Sequence, residues 1–240
     1  MPKSKIDIAA LWGLRDPREA PAYSVTEAAQ YLCMPKQTIR AWVQGTSYSH
    51  KGSKRRFHPV IQLPASGTLL LSFFNLTEVH VLRALRTRHA IQLPLIRKAL
   101  QYVKLEFGWD RPLIQQEFKT DGVRLFVEKL GRLVDASGGG QLVMREVMVH
   151  LERLEWENNL VARLYPFTRL DPVGGPKSAL IDPRYSFGRP ILAGSRITTA
   201  LIAERYKAGE SIEALADDYG CSHLEIEEGI RCELRLGTAA

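Results

Sequence analysis

Apolar residues recur at helical spacing along much of this chain, and the first clear case is also the most informative. Between Tyr23 and Gly45 the sequence reads YSVTEAAQYLCMPKQTIRAWVQG. Ala28, Ala29 and Leu32 form one stripe, and Ile39, Trp42 and Val43 form a second, so two short helices are predicted around a turn at Cys33 and Met34. Ser24 with Glu27 three residues on makes a capping box for the first helix. Pro35 suits the first position of the second, because its missing N–H would be unpaired there and its φ is already helical. That second helix leaves Lys36, Gln37, Thr38, Arg40 and Gln44 outside its apolar stripe. A polar, basic helix face behind a tight turn is how a helix-turn-helix presents itself to DNA.

From Thr46 to Phe73 the helical period stops. Val60, Ile61 and Leu63 read as a short strand, Pro64 to Gly67 as a turn and Leu69 to Phe73 as the returning strand. Lys51, Lys54, Arg55 and Arg56 precede this hairpin, where the wing of a winged helix-turn-helix would carry phosphate contacts; a merely solvated charged loop is the alternative. Asn75 and Glu78 read as a second capping box, opening a helix with Val79, Leu82 and Leu85 on one face. A further helix over about 93–107 groups Ile96, Leu100 and Val103, and Arg83, Arg86, Arg88, Arg97 and Lys98 cluster on or between the two. Asp110-Arg111-Pro112 then stops any long coiled coil.

Between 115 and 166 the pattern becomes mixed. Strands are expected at Glu117–Lys119, Arg124–Glu128, Arg132–Asp135 and Gln141–Met144, with turns at Asp121-Gly122, Gly131 and Ser137 to Gly140, then a helix over 145–154 and a strand over 160–164. The triple glycine lacks the Lys-Ser/Thr of a phosphate loop and reads as a hairpin turn. Residues 166–184, rich in Pro and Gly, read as a linker or extended arm. The last stretch opens with a hairpin turned at Ala193-Gly194-Ser195 and continues as three short helices. Thr198 or Thr199 starts the first and Gly209 ends it; Ser211 caps the second; Ser222 and Glu225 form a third capping box. The fold class expected is mainly α with small β elements (α+β): a winged helix-turn-helix over 1–112, an α+β connector or dimerisation region over 113–169, a linker over 170–184 and a trihelical, helix-turn-helix-like domain with a β-hairpin over 185–240.

Composition changes this picture in one respect. The net charge is +7 and the pI 9.4, which favours a polyanionic partner, but the charge is graded. Residues 1–60 hold ten lysines and arginines against four acids, whereas residues 198–240 hold four against nine. The two ends are therefore expected to meet different partners, and an acidic third helix bearing Glu225, Glu227 and Glu228 is the wrong sign for phosphates. Candidate partner-binding residues at this end are Arg196, Glu213, Asp217, Asp218, Glu225 and Glu228, with Arg196 also readable as a structural residue paired with Asp217 or Asp218. No apolar run of spanning length and no secretion signal occur, so a cytoplasmic protein that enters no membrane is expected. The three cysteines lack metal spacing, the six histidines form no zinc motif, and no nucleophile elbow, Walker lysine or dinucleotide fingerprint appears. No enzyme, cofactor or metal is expected.

Two resemblances complete the reading. The order YSVTEAAQYL, PKQTIRAWV, wing, LTEVHVLRALRTRHAIQLPLIRKAL resembles the DNA-binding domain of the MerR family, departing from it at Met34, where that family carries a capping residue. The run FGRPILAGSRITTALIAERYKAGESIEALADDYG is similar to the domain of unknown function 433. Gly188, Pro190, Ile191, Gly194, Ser195, Arg196 and Ile197 match its opening, and Gly209, Glu210, Ser211, Ile212, Glu213, Leu215, Asp218 and Tyr219 match its second motif. That resemblance implies an antitoxin of the VapB type that represses its own operon and neutralises a PIN-like ribonuclease toxin; a homodimer on operator DNA is the assembly expected. A stand-alone MerR-like regulator responding to a ligand stays open as the alternative.

Overall fold

Reciprocal capping starts the first helix as expected. The computed structural model of the chain describes residues 16–50, 53–65, 67–87, 91–134, 140–169 and 175–234. Ser24 Oγ accepts the Glu27 N–H at 3.1 Å while the Glu27 carboxylate accepts the Ser24 N–H at 2.8 Å, closing the start of α1 (Val25–Tyr31). The chain turns through Cys33 at φ 49° into α2 (Lys36–Gln44). Pro35 sits one position earlier than expected. It is the N-cap, with extended backbone, and its carbonyl accepts the N–H groups of Thr38 and Ile39 at 3.0 and 3.3 Å. Met34 is buried beneath the turn, so its side chain serves packing and none caps α2.

The strands fall differently from the sequence pattern. β1 (Tyr23–Ser24) pairs antiparallel with β4 (Leu70–Leu71). The wing hairpin is β2 (Thr46–His50) with β3 (Ser53–Phe57), earlier than the strand expected at Val60, Ile61 and Leu63. Polar and basic residues between Thr46, Tyr48 and Phe57 hid the alternation. Val60 and Ile61 instead donate both backbone N–H groups to the Trp42 carbonyl, at 2.8 and 3.1 Å, tying the segment after the wing to the last turn of α2.

α3 (Phe73–Thr87) opens on Ser72 rather than Asn75. Ser72 N–H donates to Asn75 Oδ1 and Asn75 N–H to Ser72 Oγ, each at 3.2 Å. The expected capping residue is thus the inner member of the box, and its amide donates to the Gln62 carbonyl and to Glu78 Oε2. α4 (Leu93–Phe107) buries Ile96, Ala99 and Val103 and stops at left-handed Gly108, followed by a single 3-10 turn over Pro112–Ile114.

The middle region is where the sequence reading fails most. Glu117–Lys119 lies in a 3-10 turn, and the other expected strands fall on α5 (Asp121–Val134) and α6 (Gly140–Leu151) as far as the described residues run. Val123, Phe126, Val127 and Leu130 are all buried, which is helical periodicity. The Asp121-Gly122 pair disguised it as a turn. Gly122 serves close packing: a Cβ there would lie 2.7 Å from Phe118 Cδ2 and 3.0 Å from Trp109 Cζ3. The described residues flanking the triple glycine are helical, so no strand pair surrounds it. The helix expected over 145–154 ends at Leu151, and β5 (Leu154–Glu157) pairs with β6 (Leu160–Leu164) across Asn158 and Asn159, both at positive φ. Two left-handed asparagines are what a tight hairpin turn requires.

The apolar core that begins in α1 and α2 continues without a break through α3, α4, α5, α6 and β5–β6, ending at Ile181; the boundary expected at 112 falls inside it. A second, smaller core belongs to the C-terminal helices, α7 (Thr199–Lys207), α8 (Ile212–Tyr219) and α9 (His223–Leu234), and gathers Leu192, Ile202, Leu215, Ile226 and Ile230. Between the two cores the expected linker is extended but anchored from 175 onward. β7 (Ala179–Leu180) pairs with β8 (Ile191–Leu192), Ile181 exchanges backbone hydrogen bonds with Leu164, and Asp182 is buried. Arg153, itself buried, donates to the carbonyls of Tyr165, Pro166, Gly175 and Pro176 at 2.8–3.1 Å.

Candidate nucleic-acid and partner interfaces

The face that α2 turns outward follows from what it buries. Ile39 is fully buried and Trp42 and Val43 nearly so, which fixes the helix about its axis and leaves Gln37, Arg40 and Gln44 exposed, with Lys36 and Thr38 half-buried at its start. α1 packs across α2, and Arg83 of α3 donates to the Leu32 carbonyl in the turn, at 2.5 Å. The helix is therefore held from its apolar side and its first turns are open. Unbonded N–H groups at its start favour phosphate oxygens, as does the positive end of its dipole.

Of the expected wing residues, Lys54, Arg55 and Arg56 lie on β3, opposite Ser49, Tyr48 and Ser47. Lys51 lies outside the described residues, as does Arg88. Because β2 begins two residues after α2 ends, the basic strand and the polar helix face belong to one short piece of chain. Arg97 donates to the His58 carbonyl at the foot of the wing.

At the other end the acidic candidates divide. Glu213, Asp217 and Asp218 are exposed on α8. Asp218 pairs with Arg205 at 2.6 Å, and Arg205 also holds Glu210. Glu225 caps α9 by accepting the Ser222 N–H at 2.9 Å, which holds its carboxyl below the ordinary range. Glu228 is a correction. It has no exposed surface, and it accepts from the Thr168 hydroxyl, Arg169 and Arg231. Burial alone would raise its pKa, yet these three donors hold it low. It joins α9 to the segment before the anchored arm and presents nothing to a partner. Arg196 pairs with neither expected acid: its guanidinium lies 4.4 Å from the Tyr185 ring centre.

One exposed residue escaped the sequence reading. Phe187 is 95 % exposed at φ 55°, between Ser186 at φ 47° and Gly188 at φ 74°. Three successive left-handed residues, one an aromatic with its ring in water, form a strained turn. Gly188 permits it, because a Cβ there would meet Tyr23 Oη at 2.1 Å. The only sequence cue was Phe-Gly inside the 433 motif. Among the described residues no group of His, Cys, Asp or Glu is placed to hold a metal, and no helix is long and apolar enough to cross a membrane.

Comparison with known proteins agrees with both ends. Residues 21–100 match the family model described as "Putative DNA-binding HTH domain", and residues 180–231 match "Protein of unknown function (DUF433)". The chain thus carries a helix-turn-helix domain at its N-terminal end and a DUF433 domain at its C-terminal end. It is 27% identical over 231 residues to "Putative antitoxin VapB45" of Mycobacterium tuberculosis, covering 88% of this chain and 93% of that protein. It is 25% identical over 224 residues to "Uncharacterized protein Rv2308" of the same organism, covering 87% and 88%. The crystal structure of Rv2018 from M. tuberculosis superposes with a TM-score of 0.64 at 23% identity over 88% of this chain and 98% of that one, which establishes a common fold.

Proposed function

We propose that this protein is a non-enzymatic antitoxin and autorepressor: a homodimer whose helix-turn-helix end binds operator DNA and whose DUF433 end holds a PIN-like ribonuclease toxin. The observation that carries the DNA half is α2 itself, fixed by Ile39 and Trp42 on one side and open along Gln37, Arg40 and Gln44 on the other. In this reading Lys36, Gln37, Thr38 and Arg40 enter the major groove, where arginine reads guanine and glutamine reads adenine, and Lys51, Lys54, Arg55 and Arg56 neutralise phosphates. The antitoxin half is supported by the similarity to the M. tuberculosis protein and by the charge reversal between the ends. At the C-terminal end the acidic face of α8 (Glu213, Asp217, Asp218), with Glu225 and Arg196 nearby in sequence, suits a basic nuclease surface, and Phe187 supplies an apolar anchor of the kind that dominates interface energies.

Co-expression with the reading frame beside this gene tests it. A tagged neighbour is expected to copurify with the wild-type chain and to lose most of it on Phe187→Ala or Asp217→Lys, while the variants stay folded. A neighbour that neither copurifies nor is toxic when expressed alone removes the antitoxin reading.

A further inference from the structure

A cavity of about 420 Å³ lies between the segment after the wing, α4 and the turn that follows α4. Arg97, Leu100, Gln101 and Lys104 line it from α4, at the spacing that puts them on one face. Arg111 and Glu78 also line it, and Val60 and Ile61 supply apolar surface. Its wall therefore carries three cationic side chains, Arg97, Lys104 and Arg111, and two carboxyls, those of Glu78 and Asp110.

The charges at the cavity favour an anion. Lys104 and Asp110 pair with each other at 2.9 Å and cancel. Two guanidiniums then face one carboxyl, that of Glu78, which accepts from the Asn75 amide at 3.0 Å; its burial pushes its pKa up, against the opposing pull of Arg111 and the Asn75 hydrogen bond. Arg111 is steadied by stacking 5.7 Å from the Phe74 ring centre, and Arg97 by its hydrogen bond to the His58 carbonyl. Both are positioned before any ligand arrives.

We propose that this cavity is an effector site for a small organic oxyanion, a carboxylate or a phosphate ester on a compact apolar body, bound by Arg97 and Arg111. The volume falls in the lower range of small-molecule sites, and the apolar wall gives the body its place. The cavity wall also carries the means of regulation. Val60 and Ile61 are bonded through their backbone N–H groups to the Trp42 carbonyl in the last turn of α2, so an occupant that shifts this segment shifts the DNA-reading helix with it. Regulation in this sense rests on the DNA-binding reading above, whereas occupancy of the cavity does not.

Titration calorimetry on the full chain decides occupancy, with benzoate, phenyl phosphate and inorganic phosphate as probes and benzyl alcohol as the neutral control. Saturable one-to-one binding of benzoate or phenyl phosphate is expected, with the stronger of the two identifying the anion class and with inorganic phosphate weaker for want of the apolar body. Arg97→Gln and Arg111→Gln should each weaken it by roughly tenfold or more, the loss typical of a charge-assisted hydrogen bond. Gln101→Trp, which fills the cavity while sparing both arginines and the core, guards against a variant that misfolds. No saturable anion binding to the folded chain, equal binding of benzyl alcohol, or binding untouched by all three variants overturns the site. With the anion present, affinity for the protein's own upstream DNA should change by roughly 5- to 100-fold, in the range of ordinary allosteric coupling. Anion binding that leaves that affinity unchanged overturns the effector role; a chain that binds no DNA at all refutes the DNA-binding reading, while calorimetry still decides the cavity.

Discussion

Replacing Glu228 by alanine should destabilise the fold, because this carboxylate joins α9 to the segment at Thr168 and Arg169. The side chain has no exposed surface, Arg169 and Arg231 each reach it at 2.6 Å, and the Thr168 hydroxyl donates to it. Breaking a fully buried ion pair costs about 3–5 kcal/mol. Here both arginines are nearly half exposed, at 45% and 44%, and rehydrate when the carboxylate goes. What remains is the loss of three donors' acceptor and a buried Thr168 hydroxyl left unpaired, about 2–3 kcal/mol together. For a chain of this size that is roughly a 4–12 °C fall in Tm, readable by calorimetry or by urea unfolding followed at two wavelengths. Glu228→Gln keeps the shape and should lose about half as much. The pH dependence has a definite sign. Because the folded pKa lies below the unfolded one, the contribution is complete above the ordinary glutamate pKa and fades as pH falls through the folded value. Glu228→Gln should therefore flatten the acid limb of the stability curve relative to wild type. A Glu228→Ala variant within 0.5 kcal/mol of wild type, taking about 0.5 kcal/mol as the ordinary surface-substitution range, would refute the placement of this residue between α9 and the Thr168–Arg169 segment and return it to the partner surface.

Two further substitutions probe how the arm between the cores is held. Arg153→Met removes the donor to four carbonyls and leaves them to find water; a loss of about 3 kcal/mol and new protease cleavage between 165 and 176 are expected, measured by urea unfolding and limited trypsinolysis. Burial already pulls the Arg153 pKa down to about 10, so the guanidinium is held by carbonyl dipoles. Gly188→Ala forces a left-handed residue and drives a Cβ against Tyr23 Oη, which should cost about 2–4 kcal/mol; unfolding with a wild-type midpoint would mean the turn does not pack on β1.

What the sequence made legible was local. Ser24-Glu27 and Ser222-Glu225 form their capping boxes as read, and Ile39, Trp42 and Val43 share the buried stripe that aims α2. Both signals need only residues three or four apart. The middle region was misread because a short window around Asp121-Gly122 looks like a turn, whereas Gly122 answers to Phe118 and Trp109 packed against it. Glu228 was read as an exposed acid because the chain outside α9 that buries it, at Thr168 and Arg169, lies about sixty residues upstream. Arg97, Arg111 and Glu78 converge on one cavity from three elements, and no linear spacing records such a meeting. Phe187 stands out only once its exposure and backbone angles are known.

In the proposed function α2 reads DNA with the basic wing strand beside it on the phosphates. Fluorescence anisotropy against the protein's own upstream region and against scrambled DNA, repeated over a salt series, tests it directly with wild type, Arg40→Ala and Lys54→Ala. Arg40→Ala should cost about 1–3 kcal/mol on the specific site and little on scrambled DNA; Lys54→Ala should weaken both alike and lower the salt slope by about one. Specific-site affinity unchanged by Arg40→Ala would contradict the assignment of α2 as the reading helix.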